Sequence, residues 1–298
     1  MFIQDSNKFI HDKLNSSNSF CITRFGWGAE PVISRKCQLD FTKIPLLEKC
    51  ILEYNAGIYG ITNNDKLLIL WASLYNRAIQ SSTAIGVWLN NDVSTIIKES
   101  QLGLIKNNQI LLKAEFIDPQ FAILNDKIPW TQSLSGKKVL IISPFIESFK
   151  KQVERKYKVI NGKFKIFKDD QEFVFYKCYN TIAGNHPHYN WIITLNIMLN
   201  DISKLDFDIA LVSCGGYGNL LCDFIYNYMN KSSIYVGGCL QMFFGVTCKR
   251  YIDNNWAGKY VNNNNLIRPC KNEHIQIKTF KQLYDITLNN EVENKCYW

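Results

Sequence analysis

Phe207-Asp208-Ile209-Ala210-Leu211-Val212-Ser213 runs directly into Cys214-Gly215-Gly216-Tyr217-Gly218, and residues 219–229 then follow a helical pattern. A short apolar run of this length, bounded by glycines, reads as a strand covered on both faces. A strand that feeds a Gly-rich turn and then a helix is the repeating step of a parallel α/β sheet. The step occurs twice more. Residues 137–142, Lys-Lys-Val-Leu-Ile-Ile, end at Ser143-Pro144-Phe145 and enter a helix near Glu147. Ser233-Ile234-Tyr235-Val236 ends at Gly237-Gly238 and enters a helix near Leu240. Three such units predict an α/β fold with a Rossmann-like, mostly parallel sheet and helices on both faces.

Outward from these units the pattern is looser. Residues 173–176 read as a further strand and 191–199 as a helix running toward 204. On the N-terminal side, 6–14 read as a helix and 20–25 as a short strand entering Gly26-Trp27-Gly28. Residues 46–80 read as helices broken at 55–60, 84–88 as a strand, and 93–124 as mixed helix and short strand. Pro129 and Gly136 punctuate a soft boundary. It separates an N-terminal α/β part, 1–130, from a Rossmann-like part, 131–298, and the two could form a single compact domain.

The 298 residues are 47% hydrophobic and 20% charged, which excludes intrinsic disorder of the whole chain. No apolar run approaches the ~20 residues of a membrane span. The opening Met-Phe-Ile-Gln-Asp-Ser-Asn-Lys lacks the pattern of a signal peptide, so a cytoplasmic location is expected. Ten cysteines are scattered without a CxxC pair, and several lie in apolar runs, so buried reduced thiols are expected. The net charge of +8 suits an anionic ligand. The lysines form no basic-aromatic block, so nucleic acid is not expected as a partner.

In an open parallel sheet, ligands bind beyond the carboxyl ends of the strands, where this sequence places its glycines. Gly215, Gly216, Tyr217 and Gly218 form either a phosphate cradle at a helix N-terminus or a tight structural turn. Gly237 and Gly238 repeat the arrangement, with Gln241 able to face the same crevice, which favours a diphosphate-bearing ligand. Ser143 and Ser148 are candidate caps of the helix near Glu147, and Glu147 either complements the helix dipole or contacts a ligand hydroxyl. Arg24-Phe25-Gly26-Trp27-Gly28-Ala29-Glu30 holds a cation and a carboxylate on one turn. Arg24 is a candidate phosphate ligand and Glu30 a candidate general base or metal ligand. A plain Arg24–Glu30 ion pair fixing the turn, worth about 0–1 kcal/mol if exposed, is the structural alternative. His186-Pro187-His188 reads as a polar loop rather than a metal site, because no carboxylate or thiol ligand lies nearby in sequence.

Several stretches resemble the Rossmann-like glycosyltransferases of the GT-D type and their relatives in polysaccharide-synthesis clusters. They are Ile22-Thr23-Arg24-Phe25-Gly26 with Glu30, Asn55-Ala56-Gly57-Ile58-Tyr59, Pro129-Trp130-Thr131, residues 134–145, Ala183-Gly184-Asn185, residues 207–211 with Gly215 to Gly218, and Gly237-Gly238 with Leu240-Gln241, Phe244-Gly245 and Arg250. The resemblance implies a nucleotide-sugar donor held by Arg24, Gly26, Asn55, Glu147, Gly215, Gly216, Tyr217, Gly218, Gly237, Gly238, Gln241 and Arg250. It further implies a glycan acceptor and Glu30 as the catalytic carboxylate. Characterised GT-D enzymes resemble an Arg-Phe-Gly-Asp-Gly-Glu pattern whose Asp-x-Glu pair serves donor and metal. Here Trp27 stands in place of that Asp, and one extra residue precedes Glu30. A lone carboxylate needs help from donor phosphates to hold Mn2+ or Mg2+. Two functional readings follow: a glycosyltransferase of glycan or polysaccharide assembly, and a non-catalytic nucleotide- or glycan-binding protein of the same fold. In a third, purely structural reading, the glycines only pack the sheet.

Overall fold

The computed structural model describes residues 3–156, 158–253, 261 and 263–288. Eight strands form one sheet: β1 (Ile3–Gln4), β2 (Cys21–Arg24), β3 (Ala84–Val87), β4 (Ile110–Lys113), β5 (Lys138–Ser143), β6 (Glu172–Lys177), β7 (Ile209–Val212) and β8 (Ser232–Tyr235). Their spatial order is β1-β4-β3-β2-β8-β7-β5-β6, and every pairing is parallel. The fold is therefore α/β and Rossmann-like, as the repeated strand-turn-helix step predicts. The boundary around 128–136 falls ahead of β5, within this one sheet: Cys21 and Ile22 of β2 pair with Ser233 and Ile234 of β8.

The sheet is covered because the strands are apolar on both sides. Successive side chains on a strand point to opposite faces. Leu140 and Ile142 of β5, with Ala210 and Val212 of β7, join one buried cluster. Val139 and Ile141, with Ile209 and Leu211, join the other. The first face is roofed by α2 (Ala29–Asp40), α3 (Leu46–Ala56), α4 (Asp65–Ser81), α5 (Thr95–Leu104), α8 (Trp191–Ile202) and α9 (Gly218–Asn227), through residues such as Ile33, Leu52, Trp71, Leu104, Met198 and Leu221. The second is covered by α1 (Ser6–Leu14), the short α6 (Gln120–Leu124), α7 (Ile146–Arg155) and the short α10 (Leu240–Phe243), through Ile10, Ile123, Phe149 and Met242. Helix α4 shows why the sequence forms these pieces. Its buried Leu68, Trp71, Ala72, Tyr75, Ala78 and Ile79 recur at helical spacing, and the Asn64 side chain accepts the Leu67 N–H at 3.3 Å to cap its start. At the end of α3, Gly57 takes φ +73°, the left-handed conformation that stops the helix.

This allocation of helices creates two crevices. β2 and β8 are neighbours, but the chain leaves β2 for α2 on the first face and leaves β8 for α10 on the second. β7 and β5 are also neighbours, and the chain leaves them for α9 and α7 on opposite faces. Where adjacent strands send their connections to opposite faces, a cleft opens at their carboxyl ends, and in this architecture such clefts receive ligands.

Candidate functional site

At the β2/β8 crevice, β2 ends with Arg24 and the turn Phe25-Gly26-Trp27-Gly28 leads into α2. Gly28 stands at the cap position before α2 and supplies no side-chain cap. Glu30, in its first turn, folds back so that its carboxylate lies over Gly26: a Cβ at Gly26 would meet both carboxylate oxygens at 2.5–2.6 Å. Gly26 is therefore the residue that lets the carboxylate lie on the turn. The residue as a whole is only part-buried, yet its carboxyl end is desolvated, which pushes its pKa above the ordinary glutamate value, with a hydrogen bond from its own backbone N–H acting in the opposite direction. The Tyr75 hydroxyl lies close enough for the Glu30 charge to help raise the tyrosine pKa, after the larger effect of burial. A desolvated carboxyl held at the mouth of a cleft has the properties of a general base.

Arg24 does not pair with Glu30. Its guanidinium reaches Asp118 with two hydrogen bonds, at 2.9 and 3.3 Å, and the Val236 carbonyl at 2.6 Å. Both side chains are under a tenth exposed, and the charge of Arg24 is already neutralised. The ion pair that fixes this turn is thus long-range rather than local, which corrects the sequence-based alternative. Arg24 Cζ lies 4.6 Å from the Trp88 ring, within cation–π range. Asn219 of α9 exchanges two hydrogen bonds with the Arg24 backbone, at 3.1 and 2.9 Å. Arg24 ties together the ends of β2 and β8, the segment after β4 and the Trp88 ring, and so acts as an organiser of the crevice. Its Nε has no hydrogen-bond partner among the described residues.

On the β8 side, Gly237 takes φ +70°, and a Cβ there would come no closer than 3.8 Å to the Tyr235 ring. Gly238 is part-exposed beside it. Gln241 is buried, and its Oε1 lacks a hydrogen-bond partner among the described residues. Nearby, Gln120 donates to the Cys239 thiol at 3.4 Å. Gly28 has nothing within 4 Å of a Cβ position, and Trp27 is 47% exposed, so the turn itself faces open space.

The β5/β7 crevice is filled by the protein. A Cβ at Gly216 would lie 2.6 Å from Ile58 Cγ1 and 3.0 Å from the Ala56 carbonyl, and one at Gly215 would lie 3.0 Å from the same carbonyl. The end of α3, with Asn55 in its last turn, occupies the space beside these glycines. Gly218 is packed against the Tyr235 ring. Tyr217 is buried, and its hydroxyl donates to the Gly57 carbonyl at 3.1 Å. Close helix packing requires glycine at these positions, in keeping with the tight-turn alternative for Gly215, Gly216 and Gly218.

The start of α7 is closed as well. The buried carboxylate of Glu273 accepts the N–H groups of Glu147 at 2.7 Å and Ser148 at 3.2 Å, and the Ser148 hydroxyl donates to it. An anion supplied by the chain itself therefore sits where a helix N-terminus would receive a phosphate. This corrects the serine-cap expectation: Ser143 Oγ instead accepts the Phe145 N–H at 3.2 Å. The Glu147 side chain points to solvent beside Lys150, at 3.4 Å. The side chain of Arg250 and Cys296 lie outside the described residues. Cys21, Cys37, Cys50, Cys178, Cys214, Cys222, Cys239 and Cys270 are free thiols.

His186 stacks on Tyr59 with ring centroids 4.3 Å apart and lies 4.0 Å from a Glu53 carboxylate oxygen. His188 bonds Thr194 at 2.8 Å. Among the described residues, no group of three or more His, Cys, Asp or Glu side chains is placed to hold a metal ion. Glu30 would meet a divalent cation as a single protein ligand, so these residues do not build a metal site on their own.

The structure thus brings together Glu30, Arg24, Gly26, Gly237, Gly238 and Gln241 around one crevice and leaves Asn55, Glu147, Gly215, Gly216, Tyr217 and Gly218 at the other. Sequence reasoning missed Asp118, Trp88 and Asn219. One signal was present: Gly86 inside β3, where a Cβ would come within 3.2 Å of Arg24 Cγ, since a strand glycine marks a close approach. No curated protein and no solved structure matches the chain. A family model described as the GT-D fold-like domain matches residues 7–243, from α1 to the end of α10 and through every residue of the β2/β8 crevice named above. The chain belongs to the GT-D fold-like domain family.

Proposed function

We propose that this protein is a glycosyltransferase that moves a sugar from a nucleotide-sugar donor to a glycan or polysaccharide acceptor, with the β2/β8 crevice as its reaction site. The observation that carries the reading is Glu30: a desolvated carboxylate, with its pKa raised by burial, held over Gly26 at a sheet switch point of a GT-D-like domain. In the reaction, the Glu30 carboxylate takes the proton of an acceptor hydroxyl. That oxygen forms the new bond to the anomeric carbon while the bond from that carbon to the diphosphate oxygen breaks, and the nucleoside diphosphate leaves with the electron pair. Base catalysis of this kind is typically worth about 10²–10⁴-fold in rate. Because the charge of Arg24 is already paired with Asp118, its part is to hold the walls of the crevice, and the donor diphosphate is assigned to the Gly237-Gly238 turn. No step is routed through a metal ion. Mn2+ and Mg2+ remain candidate cofactors that a donor diphosphate would help to hold, and the assay varies them.

No helix among the described residues is long and apolar enough to cross a membrane. The free thiols support a cytoplasmic location as part of the same proposal. The second reading, a nucleotide- or glycan-binding protein without turnover, is favoured by one observation: Trp27 occupies the position where an Asp would complete the acidic pair. A panel of nucleotide sugars, assayed for hydrolysis and transfer with and without Mn2+, separates the two. Turnover of one donor supports the first; saturable binding without turnover under every condition establishes the second.

A further inference from the structure

Trp27 does more than replace an acid. It is 47% exposed, and its ring lies 4.8 Å from the Trp88 ring at an interplanar angle of 54°. Trp88 is clamped from three sides. Its indole N–H donates to the Phe25 carbonyl at 2.8 Å, and its backbone exchanges hydrogen bonds with the Gln101 amide at 2.8 and 3.2 Å. The Arg24 guanidinium, itself locked by Asp118, packs 4.6 Å from the Trp88 ring. Trp27 thus leans on a fixed aromatic backing and presents the rest of its surface outward, beside the open space at Gly28 and within three residues of Glu30. A rigid, half-exposed indole of this kind offers a negative π-face. The face of a pyranose ring, lined with weakly positive C–H bonds, complements it.

The position excludes the nucleobase. The acceptor hydroxyl that loses its proton to Glu30 is bonded directly to the acceptor sugar. The nucleobase is separated from the reacting carbon by a diphosphate and a ribose, so it lies remote from Glu30. We propose that Trp27, backed by Trp88, is the stacking platform for the acceptor sugar, and that it determines acceptor specificity. The proposal rests on the glycosyltransferase reading for its geometry, but its test does not depend on turnover.

The experiment titrates the full-length protein with neutral tetrasaccharides built from glucose, galactose or N-acetylglucosamine, without nucleotide. Binding is measured by calorimetry for the native protein and for Trp27→Ala and Trp27→Tyr. One tetrasaccharide is expected to bind, with Kd raised about tenfold or more in Trp27→Ala and largely restored in Trp27→Tyr, which keeps an aromatic face. Where turnover is found, Trp27→Ala raises the acceptor KM by a similar factor and leaves the donor KM unchanged. Binding that is equal in all three proteins, no binding of any tetrasaccharide, or a loss confined to donor affinity overturns the platform. Oligosaccharide binding that depends on Trp27 in a protein without turnover keeps the platform and removes the transferase reading. Turnover with an unaltered acceptor KM in Trp27→Ala does the reverse.

Discussion

The two crevices of this sheet come from the same topological device and end in opposite states. At β5/β7, the chain itself occupies the start of α7 and the space beside the glycines. Glu273 supplies the anion at the start of α7, the Ala56 carbonyl and Ile58 fill the space beside Gly215 and Gly216, and the Tyr217 hydroxyl is bonded inside the core. At β2/β8, the Gly28 position is open, Trp27 is exposed, Gly237 faces little but the edge of Tyr235, and Glu30 has no cationic partner among the described residues. A switch point therefore does not by itself identify a site. What separates the two is whether the chain satisfies its own polar groups there.

The largest effect expected from breaking this contrast is structural. Asp118→Asn leaves the buried Arg24 guanidinium without its counter-charge, and breaking a buried pair in this way costs about 3–5 kcal/mol. Urea unfolding should show it as a lower midpoint with an unchanged slope. An unaltered midpoint would mean that the pair does not hold the open crevice together. Next in size is Gly216→Val. The branched side chain collides with Ile58 and the Ala56 carbonyl, an overpacking cost of about 1–3 kcal/mol, and the melting temperature falls by several degrees. A mutant of native stability that has lost nucleotide affinity would instead return the closed crevice to the list of phosphate sites.

The smallest effect concerns pH. Glu30 has a folded pKa above its unfolded value because its charged form is desolvated. The folded state therefore holds that proton more tightly, and at pH above the folded pKa the ionised carboxylate costs stability. Glu30→Gln removes that cost. The variant should melt higher than the native protein at pH 8, and the gap should narrow as the pH falls through the raised folded pKa and be gone below 4.5, the ordinary glutamate value. A lower melting temperature at pH 8 would mean that the carboxylate is held by an attractive partner.

Much of the fold was legible because its strands announce themselves. Residues 139–142 and 209–212 are apolar without interruption, as strands buried on two faces must be, and the helices at 6–14 and 65–81 carry clear periodicity. The site was legible only where its parts are close in sequence. Arg24, Gly26, Trp27 and Glu30 share one turn. Asp118 is 94 residues from Arg24, and Glu273 is 126 residues from the N–H it caps, so no local pattern could join them. The glycines of residues 215–218 look the same in sequence whether a phosphate or the end of a helix fills the space above them. Only the position of α3 decides between those occupants.

The claim that the open crevice is catalytic and the filled one structural is tested most directly by two carboxylate-to-amide variants compared on one donor. Turnover, donor affinity and stability are measured for Glu30→Gln and Glu273→Gln beside the native protein, using whichever nucleotide sugar the native protein turns over. Glu30→Gln is predicted to lower kcat by about 10²-fold or more with donor Kd nearly unchanged, because the amide keeps the shape but takes no proton. Glu273→Gln is predicted to weaken the cap of α7 and lower stability, while kcat stays within about twofold of native. Intact turnover in Glu30→Gln together with a large loss in Glu273→Gln would contradict the account and place the chemistry in the other crevice.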